Sequence, residues 1–131
     1  MHVPYQDRLK HPPDFRVSYR FFSVEEGGRK TIPFQGIRCD FWYEHPNHIP
    51  MGMFMIWPEF EDDKGEIILD NTISVPAVGY ARMWIINPER RPYHQVRIAV
   101  GMKGYFMEGS RRTAECDVVE IVGLKTNSDI R

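Results

Sequence analysis

The chain has 131 residues, 42% of them apolar and 27% charged, with a formal net charge of -1. That length and balance describe a single globular domain with a core of its own. They exclude a chain that gathers phosphate backbones or anionic membranes through its overall field, so any nucleic-acid contact must come from a local patch.

In chain order, residues 1–14 carry three prolines and read as an extended N-terminal arm. "FRVSYRFF" (15–22) then alternates, with Phe15, Val17, Tyr19 and Phe21 on one face and Arg16, Ser18 and Arg20 on the other. That is a half-buried strand. "IRCDFWYE" (37–44) repeats the pattern: Ile37, Cys39, Phe41 and Tyr43 point in, while Arg38, Asp40, Trp42 and Glu44 point out. "MFMIW" (53–57) predicts a strand, and "EIILDNTISV" (66–75) predicts another short one. "VGYARMWII" (78–86) is apolar on both faces, as a central strand is. "QVRIAVGMKGYFME" (95–108) predicts a strand bent at Gly101 and Gly104, and "RTAECDVVEIVGL" (112–124) closes the series. Residues 125–131 read as a frayed tail. Turn signals separate these runs, among them Glu26-Gly27-Gly28, Asp63-Lys64-Gly65, Asn87-Pro88 and Glu108-Gly109-Ser110. No helical period interrupts them. Strands at this spacing predict an all-β barrel or sandwich spanning residues 15–124.

Little in the chain points to catalysis. Cys39 and Cys116 lie in apolar segments, outside any Cys-x-x-Cys pair, and read as buried small hydrophobes. "EHPNH" (44–48) has the residue types of a metal site but lacks further ligands at a recognised spacing. "PEFEDDKGE" (58–66) lacks calcium-loop spacing and reads as a solvated hairpin. His94 has no placed catalytic partner, and neither a nucleophile elbow nor a phosphate loop occurs. The expectation is a protein that is not an enzyme and uses no metal or cofactor. Trp57 and Trp84 read as core, whereas the alternation places Trp42 on the outer face, either as a contact residue or as one that packs the arm against the barrel. The N-terminus lacks the apolar stretch of a secretory signal, and "MGMFMIW" (51–57) falls far short of the ~20 residues that span a bilayer. A cytoplasmic protein with no membrane contact is expected.

Three segments carry a resemblance. "EGGRKTIPFQGIRCDF" (26–41) resembles the opening of the C-terminal β-barrel of the elongation factor Tu family, through Gly27, Gly28, Arg29, Thr31, Phe34, Gly36, Arg38 and Phe41. "SVPAVGYARMWIINP" (74–88) is similar to a later strand of that barrel. "YFMEGSRRTAECDVVEIV" (105–122) resembles its closing hairpin through Phe106, Glu108, Gly109, Arg112, Thr113, Val118 and Val119. The similarity runs from about residue 15 to 124; the family's GTPase domain and second barrel have no counterpart here.

The resemblance implies a small closed six-stranded antiparallel barrel that binds rather than reacts. In the family this barrel meets tRNA and protein partners. The match to the tRNA-contacting arginine is Arg29, and Glu108 and Gly109 match positions that meet the RNA backbone. An RNA-binding version would join Arg29, Arg111 and Arg112 into one basic patch across the two hairpins, with Thr31 beside it. Asp40 stands where the family has glutamine, putting negative charge where phosphate would lie. A protein partner is therefore expected, in an interaction or immunity-type protein that presents a translation-factor surface. The alternative is tRNA or another structured RNA; DNA is not expected. In the bland reading, the glycines serve only their turn, and Arg29 and Thr31 brace the rim.

Overall fold

The computed structural model describes residues 1–46 and 54–127. Six strands form one sheet: β1 (Phe15–Phe21), β2 (Asp40–Tyr43), β3 (Ile56–Phe60), β4 (Val78–Ile85), β5 (Lys103–Glu108) and β6 (Arg111–Ile121). Their order is β2-β5-β6-β1-β4-β3, and every neighbouring pair is antiparallel. The expected all-β class and six antiparallel strands are present. Two short helices join them, α1 (Tyr5–Leu9) and α2 (Arg91–Gln95), the second entered through a 3-10 turn over Pro88–Arg90. No helix among the described residues is long and apolar enough to cross a membrane.

The expected closed barrel is not formed. The sheet curls into a half-barrel, and among the described residues β2 meets the segment leading into the other edge strand, β3, through one bridge, Phe41 to Phe54, bonded both ways at 3.0 Å. The cause lies along β3, whose outward backbone groups are consumed locally. Ile56 N–H donates to the Phe54 carbonyl, and Pro58 has no N–H to give. Phe60 N–H donates to Oε1 of buried Gln35, whose Nε2 returns a bond to the Phe60 carbonyl, both at 2.9 Å. A side-chain amide takes the place of a neighbouring strand and blunts the edge.

The inward alternation holds. β1 buries Phe15, Val17, Tyr19 and Phe21, and these rings and branches pack with Phe41, Phe60 and Phe106 inside the curl. The expected strand at 66–75 does not appear. Asp70 folds its carboxylate onto the Thr72 backbone and hydroxyl, making a turn, and only Ile67 and Ser74 make isolated bridges. The long run 95–108 is also shorter in fact. Asn87 caps the 3-10 turn and Pro92 sits in the first turn of α2, which ends at Gln95. The Arg97 and Ile98 N–H groups then return to the His94 carbonyl and Gly101 takes φ +92, so strand pairing begins only at Lys103.

The arm is not simply extended, because α1 folds it across the outer face of β3 and β4. Glu59 on that face is 1% exposed and accepts from His2 Nε2 at 2.6 Å, Tyr5 N–H at 2.9 Å and Trp84 Nε1 at 3.1 Å. The Tyr5 and His11 rings cover Trp84. Trp84 is thus buried as expected, but beneath the arm rather than inside the curl, and its cross-strand neighbour Trp57 stays half-buried. The expected fraying does not begin at residue 125. Leu124 is buried, and Asn127 Nδ2 donates to Pro12 O and Asp14 Oδ1. Asp14 also accepts from Arg91 Nε at 2.9 Å and Ile85 N–H at 2.8 Å, a fully buried charge given its partners.

A cation-aromatic face as the candidate binding site

The outer face of β2, β5 and β6 gathers the residues singled out from the sequence. β2 pairs with β5 so that Trp42 stands directly opposite Tyr105. Their rings stack at 6.0 Å with a 24° interplanar angle, in the range of a favourable aromatic pair. A bulge between Phe106 and Met107 shifts the β5–β6 register and sets Arg112 opposite Met107. From there its guanidinium lies 4.0 Å from the Tyr105 ring centre and 5.5 Å from that of Trp42. Tyr105 Oη donates to Glu44 at 3.2 Å, and burial followed by that carboxylate raises its pKa.

The two glycine turns meet at the end of this face. In the first, Gly27 has φ +94, and a Cβ on Gly28 would lie 2.2 Å from the Phe22 carbonyl oxygen. One glycine supplies the left-handed backbone and the other the close approach. Arg20 clamps the turn with a fork onto Glu26 at 2.9 and 3.0 Å and also reaches Glu115 at 3.0 Å. Hydrogen bonding to Arg20, then to the Ser23 backbone, lowers the Glu26 pKa to about 2. In the second turn Gly109 takes φ +61 between Glu108 and Arg111. Arg29 ties the turns together: NH1 donates to Glu108 at 2.7 Å and Nε to the Thr31 carbonyl at 3.1 Å.

The structure brings these residues close together. Arg29, Thr31, Glu108 and Gly109 form one junction, Arg111 sits at its turn, and Trp42 and Arg112 form the stack beside it. The expected union of Arg29 with Arg111 and Arg112 is altered by one acid, because Arg29 is spent on Glu108. Arg111 and Arg112 are exposed and have no carboxylate in ion-pair range among the described residues. Tyr105 was missed. It follows the alternation of its run, but only the register shows that it faces Trp42.

Other chemistry is closed off or self-satisfied. Burial pushes the Cys39 thiol up to about 12 and raises that of Cys116 well above its ordinary value, so both behave as small hydrophobes. His94 is buried with Nδ1 2.6 Å from the Tyr43 hydroxyl, whose pKa burial raises. Among the described residues no three potential metal ligands cluster; of "EHPNH", Asn47 and His48 lie outside the described residues. The "PEFEDDKGE" segment turns at Asp62–Gly65, but Glu59 and Glu61 are buried rather than solvated. A groove of about 440 Å3 crosses the outer face near Val78 and Tyr80. Within it Arg16 is forked onto Glu61 at 2.8 Å. No family profile matches the chain, and no curated protein matches it.

Proposed function

We propose that the chain is a non-catalytic binding module that engages a protein partner through the Trp42–Tyr105–Arg112 face. What supports it is the stack itself, two half-buried rings with an exposed guanidinium over them on the outside of a sheet whose core they do not serve. Aromatic rings and arginine are the residues that carry binding energy at protein interfaces, because they bury large area with few rotors. The relation to the elongation factor Tu C-terminal barrel belongs to this proposal, with the Arg29–Glu108 junction of the two glycine turns in its favour. Action in the cytoplasm belongs to it too, and two buried free thiols fit a reducing compartment.

Structured RNA is the second reading, favoured by exposed Arg111 and Arg112 beside the turn. Against it, Arg20, Arg29 and Lys103 on the same side are each held by a carboxylate, so a phosphate backbone would have to displace Glu115, Glu108 and Asp117.

Immobilised wild-type chain and Trp42→Ala, each passed through lysate of the native host, test the protein reading. The expected result is one protein retained in stoichiometric amount by the wild type, resistant to nuclease, and lost with Trp42→Ala. Retention that nuclease abolishes, or that survives Trp42→Ala unchanged, overturns it.

A further inference from the structure

We propose that an acidic segment of the protein partner docks where β2 begins and β5 turns into β6, its carboxylates received by Arg38, Arg111 and Arg112. The inference rests on the protein-binding reading and specifies the chemistry of that partner.

The charges of the outer face carry it. Arg16 and Arg82 share Glu61, Arg20 holds Glu26 and Glu115, Arg29 holds Glu108, and Lys103 holds Asp117. Arg38, Arg111 and Arg112 are all exposed, and none has a carboxylate in ion-pair range among the described residues. They share one end of the sheet. Asp40 opens β2 opposite Met107, Met107 faces Arg112, and Glu108 faces Arg111 at the turn. Arg38 comes two residues before Asp40.

Two of these guanidinia are already held for such a task. Arg112 lies over Tyr105 at 4.0 Å, and Arg38 lies over Trp57 at 4.8 Å. An aromatic ring against a guanidinium restrains the side chain without consuming its N–H donors, which a carboxylate can then take. Less rotamer freedom is then lost on binding. Arg111 adds a third donor at the turn.

The same region favours a flexible peptide over a duplex. Asp40 lies on the outward alternation between Arg38 and Trp42, and Glu44, Glu115 and Asp117 follow farther along the face. On this face the arginines outside ion pairs are confined to the start of β2 and the β5–β6 turn, with acids beside and beyond them. An A-form helix places phosphates at fixed spacing across its grooves and would set several against these acids. A peptide segment can put carboxylates on these arginines and leave the rest alone.

The test uses the full chain with 15N-labelled arginine and follows the Nε–H signals on adding a blocked Asp/Glu peptide or an RNA hairpin. The expected result is movement of Arg38, Arg111 and Arg112 by the peptide at low salt, with Arg16, Arg20 and Arg29 in place. Arg112→Gln should weaken binding about tenfold, the loss of one charge-assisted contact. Equal movement at exposed Arg8 and Arg90 would mean non-specific attraction and overturn the proposal. No movement, with the host partner still lost on Trp42→Ala, would overturn the acidic docking and leave the protein reading standing. Movement by the RNA at lower concentration than the peptide would overturn both.

Discussion

Two tryptophans on the outer face of one sheet have opposite fates. Trp84 on β4 is fully buried because α1 folds over it, with Tyr5 and His11 against its ring and Glu59 on its indole N–H. Trp42 on β2 has Tyr105 stacked beside it and Arg112 near its ring, and stays half-buried. One aromatic surface is closed by the chain itself, and the other keeps half-buried rings beside an exposed guanidinium. An outward tryptophan thus reports contact in either case, and what covers it decides whether that contact is structural.

The largest effect separates the two directly. Trp84→Ala should cost about 3–5 kcal/mol in urea denaturation, as expected for a large buried ring, while Trp42→Ala should cost about 1 kcal/mol or less. Equal losses would break the comparison. Glu59→Gln leaves three buried donors facing an amide that offers one acceptor. It should cost about 2 kcal/mol and speed amide exchange at Tyr5 by more than tenfold, because the arm opens first. Unchanged exchange at Tyr5 would mean that other contacts hold the arm.

At the seam, a Cβ on Gly104 would stand 2.4 Å from Cζ of Phe41. Gly104→Ala should therefore cost about 1–3 kcal/mol and disturb the Phe41–Phe54 bridge, read as loss of protection at the Phe54 amide. The smallest effect concerns the paired acids. The Glu26 pKa is lowered in the folded chain to about 2, so its contribution is complete above the ordinary carboxylate range and fades as pH falls towards about 2. A carboxyl titration by NMR should place its midpoint near that value. Arg20→Gln should raise it towards the ordinary range, short of it because Ser23 N–H still donates to Glu26, without moving the Arg112 signals, if paired and open cations are separate sets.

Much of the fold was legible because alternation is local. Phe15 to Phe21, Cys39 to Tyr43 and the inward half of β6 needed only a period of two. Asn87-Pro88 and Pro92 also held a helix start that the apolar run after them concealed. Closure was not legible, since whether β2 meets β3 depends on Gln35 reaching a strand 25 residues away. The site was half legible. Trp42, Arg29 and Glu108 stand out as residues, yet the Arg29–Glu108 pair spans 79 positions and Tyr105 gains meaning only through its register with Trp42.

Hydroxyl-radical footprinting of the chain alone and saturated with its retained partner tests the outer β2–β5–β6 face most directly. Protection of the Trp42 and Tyr105 side chains, with Met1 and Tyr80 oxidised as before, is the predicted result. Protection confined to the arm or to the Val78–Tyr80 groove, with Trp42 still reacting at its free rate, would contradict it.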